Sequence, residues 1–93
     1  MVKFNMGNVV ITRALNDAIV NNGQLAKEVM TALRRYVRCD WGNLCNNDMV
    51  LNNNAVTSGL DRIVARYGTT EGDIYIITEH DRSYTTLLFC EEY

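Results

Sequence analysis

Apolar and polar residues follow two different rhythms along this chain. From Gln24 to Arg38, Leu25, Val29, Ala32, Leu33, Tyr36 and Val37 recur at intervals of three and four, which places them on one stripe of an α-helix. From Leu60 to Tyr67 the interval is two. Ile63, Ala65 and Tyr67 face one way, and Arg62, Val64 and Arg66 face the other, the pattern of a half-buried strand. Two more runs rich in β-branched and aromatic residues, Asp73–Thr78 and Tyr84–Cys90, flank the polar break Glu79-His80-Asp81-Arg82-Ser83. Two such runs joined by a short turn-forming segment predict an antiparallel hairpin.

The weaker signals fill in the rest. Asn8-Val9-Val10-Ile11-Thr12 predicts a short early strand, and Thr12 can then cap a helix over Arg13–Val20 with Leu15, Ala18 and Ile19 at helical spacing. Asn21-Asn22-Gly23 is expected to end that helix in a left-handed conformation. Gly42 gives the chain a turn within Cys39–Cys45, with Trp41 and Leu44 tucked under the helices. Asn46 or Asn47 can cap a third helix over Asp48–Thr57, carrying Met49, Val50 or Leu51, and Val56, although Asn52-Asn53-Asn54 are poor helix formers. Ser58-Gly59 stops it, and Gly68–Gly72 is a turn cluster. The fold expected is therefore one α+β domain over residues 1–93. It has a short N-terminal strand and two or three helices packed on a C-terminal three-stranded antiparallel meander, since such a sheet needs a covering layer.

Composition narrows the class. At 93 residues, with 47% hydrophobic and 22% charged side chains, the chain is an ordinary globular domain in its balance. No apolar run approaches the ~18 residues of a membrane span. MVKFNMGNVV lacks the long apolar core and cleavage site of a signal peptide, so the expected location is cytoplasmic. Three cysteines, Cys39, Cys45 and Cys90, are an odd set and suit free thiols in a reducing compartment. The net charge of −2 is unevenly spread. Residues 1–46 carry six basic and three acidic side chains (+3), and residues 47–93 carry three basic and eight acidic ones (−5). Such asymmetry can steer a charged partner.

Candidate chemistry is sparse. Cys39, Cys45, His80 and Cys90 could supply four zinc ligands, but five residues between the first two is wider than structural zinc spacing, so no metal and no cofactor are expected. A thiol with His80, or Asp81 with Glu79, would need a geometry that no sequence shows. No Walker motif or Gly-x-Gly-x-x-Gly phosphate loop occurs. Arg34, Arg35 and Arg38 beside Tyr36 form a basic cluster that suits either the negative pole of their helix or a nucleic acid. The negative net charge makes nucleic acid the less favoured partner. Asp61, Glu71, Asp73, Glu79, Asp81, Glu91 and Glu92 form an acidic series that either keeps strand edges soluble or offers spaced carboxylates to a phosphate-binding groove. Tyr75, Ile77 and Phe89 are either core or a patch for pairing two copies.

Four passages resemble a known family: Phe4-Asn5-Met6-Gly7-Asn8-Val9-Val10, Cys39-Asp40-Trp41-Gly42-Asn43-Leu44, Ile76-Ile77-Thr78-Glu79-His80-Asp81-Arg82-Ser83 and Thr85-Thr86-Leu87-Leu88-Phe89-Cys90-Glu91-Glu92-Tyr93. They are similar to the small "plasmid-related" proteins of plasmids, conjugative elements and prophages, notably of gut Firmicutes, over nearly the whole chain. Asn46-Asn47 and Asn52-Asn53-Asn54 depart from relatives that look more acidic there. The resemblance implies no catalytic activity. Its setting implies an anti-CRISPR or anti-restriction inhibitor that binds a bacterial defence effector, with a nucleic-acid-binding or accessory regulator of the mobile element as the alternative. Contacts are expected from Glu79, Asp81, Arg82, Glu91 and Glu92, or from Arg34, Arg35 and Arg38. Within the family motif Asp40 can instead cap a helix, and Arg82 can pair with Asp40 or Glu79 to fix the hairpin.

Overall fold

Thr12 marks the point where the chain changes from strand to helix. The computed structural model describes residues 3–93. β1 (Asn8–Ile11) is followed after that single residue by α1 (Arg13–Asn21), and the Thr12 hydroxyl accepts the Leu15 N–H as the expected cap. α2 (Gly23–Val37) begins almost at once. Asn22 ends α1 and caps α2 together, its side chain accepting the N–H groups of Gln24 and Leu25. It is extended, at φ −145°, and not left-handed as expected. A residue that caps the next helix needs β-region geometry, and that requirement wins.

α3 spans Asn46–Ser58 and is followed by β2 (Ile63–Tyr67), β3 (Ile74–Thr78), β4 (Tyr84–Phe89) and a 3₁₀ turn, Cys90–Glu92. β2–β3 and β3–β4 are antiparallel, as the two-residue alternation and the hairpin predict. The sheet has four strands, however, not three. β1 joins it parallel to β4, giving the order β1-β4-β3-β2. β2 starts at Ile63 rather than Leu60, because the Asp61 carbonyl is drawn off to the Arg82 guanidinium and Leu60 is exposed.

One face of the sheet carries Ile63, Ala65, Tyr67, Ile74, Ile76, Leu87 and Phe89. They pack with Leu15 of α1 and with Leu25, Val29, Ala32 and Tyr36 of α2 in one core cluster that also holds Trp41 and Ala55. A polar thread runs through it. The Tyr36 hydroxyl meets Thr78 Oγ1 at 2.6 Å, Thr78 meets Thr85 at 2.7 Å, and Thr85 donates to the Met6 carbonyl at 2.7 Å. The last bond uses the only Thr85 proton, so Thr78 must donate to Thr85 and Tyr36 to Thr78. Each hydroxyl has a single proton, and the thread therefore has one direction.

The two edges of the sheet are treated differently. At β2 the Asn52 side chain donates to the Val64 carbonyl and accepts the Val64 N–H. One turn of irregular chain then takes the next position, with Arg66 N–H donating to the Trp41 carbonyl and Asn43 N–H to the Arg66 carbonyl. Side chain and loop together replace a fifth strand. The inward side of α3 is accordingly Met49, Asn52, Ala55 and Val56, while Val50 and Leu51 are exposed. Its N-cap is Cys45, with no side-chain bond, not Asn46 or Asn47. Asn52 is only 5% exposed. Asn52→Ala leaves two main-chain groups of β2 without partners and is expected to cost about 2–3 kcal/mol. Urea unfolding of wild type and variant measures this. A loss under about 0.5 kcal/mol, the size of an ordinary surface substitution, would mean the amide does not hold the edge.

Candidate interaction surfaces

The hairpin tip is built around Arg82. Asp81 accepts the Ser83 N–H on its carboxylate, which forms an Asx turn, and hydrogen bonding from the Ser83 hydroxyl and then from that N–H lowers the Asp81 pKa. Arg82 sits at φ +61°, with its N–H on the Glu79 carbonyl. Its guanidinium reaches back into the molecule. Nη1 donates to the carbonyls of Asp61, Glu79 and His80, and Nη2 to that of Ala55 at 2.8 Å. Ala55 lies in the last turn of α3, where the helix dipole favours a cation, and its carbonyl also accepts the Gly59 N–H. Arg82 thus ties the tip to α3 through main-chain oxygens. The expected pairing with an Asp40 or Glu79 carboxylate does not occur.

Asp40 is held by Arg35 instead, at 2.8 Å and 3.2 Å. Cys39, at φ +64°, turns the chain back so that Asp40 reaches the helix it has just left. The Arg35 hydrogen bond holds the Asp40 carboxyl below the usual carboxylate range. Both side chains are about half exposed, so the pair adds little stability. The same guanidinium lies 5.2 Å from the Tyr67 ring centre. Trp41 is buried against Tyr36 and Phe4, and its indole N–H donates to Asn53.

The acidic candidates separate in the same way. Glu92 accepts the Phe89 N–H and the Thr12 hydroxyl, binding the chain end to the start of α1. Glu91 is exposed and Glu79 half-buried, and among the described residues neither carboxylate has a hydrogen bond or ion pair. His80 sits exposed in the tip. All three cysteines are free thiols, and burial pushes the Cys39 and Cys90 thiols up, which keeps them protonated. Among the described residues no three His, Cys, Asp or Glu side chains converge as metal ligands. Among the described residues no helix is long and apolar enough to cross a membrane.

Two surfaces remain. On the sheet face away from α1 and α2, Arg66 pairs with Asp73 and lies over Tyr75. Tyr75 meets Tyr93 edge-on, and Arg62 bonds the Tyr93 hydroxyl. This array borders a cleft of ≈ 410 Å³ beside α3. Alternation marked Arg62 and Arg66 as outward. Nothing in the sequence signalled that Tyr93 returns to sit between Arg62 and Tyr75. Arg66 is paired here with a carboxylate, and Arg62 is hydrogen-bonded to a neutral phenol.

The second surface is the solvent side of α2. Lys27, Met30, Thr31, Arg34 and Arg38 follow one another at helical spacing over about 16 Å, and all are exposed. Met30 is an apolar side chain left 50% exposed among cations. Lys27, Arg34 and Arg38 have no acidic partner among the described residues. Of the three arginines expected to act together, one is spent on Asp40 and two stay available. No protein-family model, no curated protein and no solved structure matches this chain, so comparison assigns it no family.

Proposed function

We propose that this chain is a non-catalytic inhibitor that binds a bacterial defence effector, of CRISPR-associated or restriction type, through the basic stripe on α2. The observation that carries the proposal is the uncompensated charge of Lys27, Arg34 and Arg38 around Met30. Cations flanking an exposed apolar residue suit a partner surface of acidic rim and apolar centre. Arg82, Glu92, Arg35 and Arg66, by contrast, are engaged in holding the fold. The protonated Cys39 and Cys90 thiols and a histidine in a solvated turn support a binding role over a nucleophilic one. The setting on a mobile element comes from the motif resemblance alone.

The same free arginines favour nucleic acid as the second reading, since both ligands present negative charge. Salt separates the two. DNA binding weakens steeply and log-linearly with salt, through counterion release. Tagged wild-type protein is expected to capture a purified CRISPR effector or restriction complex, and the double variant Arg34→Glu, Arg38→Glu to lose at least about tenfold in affinity with its circular dichroism unchanged. Equal capture by both proteins would remove the stripe from the account. A salt-sensitive DNA shift without capture would replace the first reading by the second.

A further inference from the structure

The exposed strand at the other end of the sheet offers a different kind of contact. Asn8 N–H donates to the Ser83 carbonyl and Thr12 N–H to that of Leu87. In a parallel ladder the residues between alternate, so Asn8, Val10 and Thr12 turn their main-chain groups to β4, and Val9 and Ile11 turn theirs outward. Among the described residues nothing pairs with these outward groups. Val9, Val10 and Ile11 are 45%, 43% and 41% exposed, so both faces of the edge are apolar. Residues 4–12 contain no charged side chain and no proline. The usual protections of an edge strand, a lysine, a proline or a covering loop, are missing here, whereas Asn52 and the Trp41–Asn43 segment close the β2 edge.

We propose that two copies of this chain join through β1, antiparallel and about a twofold axis at Val10, into a continuous eight-stranded sheet. The strand is complementary to itself in that register. Val9 pairs with Ile11 of the other copy and Ile11 with its Val9, which satisfies all four outward N–H groups of the two edges. Val10 meets its own copy in the closely spaced position that forms no main-chain bonds. Thr12 faces Asn8 and Arg13 faces Gly7, so no like charges meet. The closed β2 edge stops further growth, and the assembly ends at two. The Tyr75, Ile77 and Phe89 alternative for pairing is unsuited, because Ile77 and Phe89 are buried at 4% and 8% exposure. A four-residue edge is a small interface, and a weak dimer follows, half-formed at about 100 µM.

The test joins sedimentation with hydrogen exchange. Wild type is expected to shift from monomer to dimer between about 1 µM and 1 mM. Over that range the Val9 and Ile11 amides should gain protection. The Val10 amide, already bonded to β4, should not change. Val10→Lys and Val10→Asp each place like charges on the axis and are expected to weaken self-association at least 100-fold. Mixed together, they should form the hetero-pair. A wild-type chain that stays monomeric at about 1 mM overturns the proposal. So does a dimer whose Val9 and Ile11 amides exchange no more slowly than in the monomer, or one that both variants retain. The exchange measurement needs no variant, so the test stands even if a substituted chain fails to fold.

Discussion

Gly42→Ala is expected to cost about 4 kcal/mol, a large share of what a chain of this length has to lose. Gly42 lies at φ +74°, and a Cβ there would overlap the Arg66 carbonyl oxygen and approach Tyr67 Cδ1 to 2.7 Å. The left-handed conformation alone costs a non-glycine residue about 1 kcal/mol. Relieving the overlap means drawing the loop away from β2. That breaks Asn43 N–H to Arg66 O (2.7 Å) and Arg66 N–H to Trp41 O (3.2 Å), at about 1 kcal/mol each. Trp41, 3% exposed against Tyr36 and Phe4, must then repack, for about a further 1 kcal/mol or more. A domain of this size has roughly 5–14 kcal/mol in all. Urea unfolding should show a large fall in midpoint. A change below about 1 kcal/mol would show that the loop absorbs a methyl group, and that the β2 edge does not depend on close approach at Gly42.

The second large effect is alkaline unfolding. Burial is the first cause that raises the Tyr36 and Tyr67 hydroxyl pKa values in the folded chain, and Tyr67 also lies beside the negative Asp40. Tyr36 donates into the threonine thread and Tyr67 donates to the Asp40 carbonyl at 2.6 Å, so both need their protons in place. An unfolded tyrosine ionises near pH 10. Below that pH both states hold the two protons and stability is fully present. Above it the unfolded chain releases them while the folded chain keeps them, and stability is lost as pH rises toward the folded pKa values. Two protons give a slope of about −2.7 kcal/mol per pH unit. The raised Cys39 and Cys90 thiols start the decline about a unit earlier. Tyr36→Phe should halve the tyrosine slope while lowering stability at pH 7 by about 1 kcal/mol through the loss of one end of the thread. Urea curves at pH 9 to 11 measure both. A slope unchanged by the substitution would mean that Tyr36 titrates in the folded state.

What the sequence revealed depended on how local the cause was. The α2 stripe, the hairpin and the β2 alternation are written within about fifteen residues each. Leu25, Val29, Ala32 and Tyr36 are buried as the spacing predicts. β1 was legible as a strand but not as a fourth member of the sheet, because its partner lies more than seventy residues away and is chosen by how the helices bring it there. α3 misled for a related reason. Its apolar Val50 and Leu51 face solvent and its polar Asn52 faces inward, because that helix packs on unpaired main-chain groups of an edge as well as on apolar side chains.

The candidate contact residues divide in the same way. That Arg34, Arg35 and Arg38 lie off the apolar stripe follows from helical spacing. That Arg35 alone is neutralised depends on Cys39 turning Asp40 back, a matter of one backbone angle. Arg82 and Glu92 looked like surface charge, yet Arg82 holds main-chain carbonyls distant in sequence, and Glu92 holds the nearby Phe89 N–H and the distant Thr12 hydroxyl. Side chains able to serve either role take the structural one where unpaired backbone lies within reach.

The most direct test of the central claim is the plating efficiency of a phage targeted by CRISPR-Cas immunity in one host strain and by restriction in another. Each strain would express the wild-type chain or the folded Arg34→Glu, Arg38→Glu variant at equal level. Wild type is expected to raise plating by an order of magnitude or more in at least one strain, and the variant is not. Unchanged plating in both strains, or equal rescue by the variant, would contradict that claim.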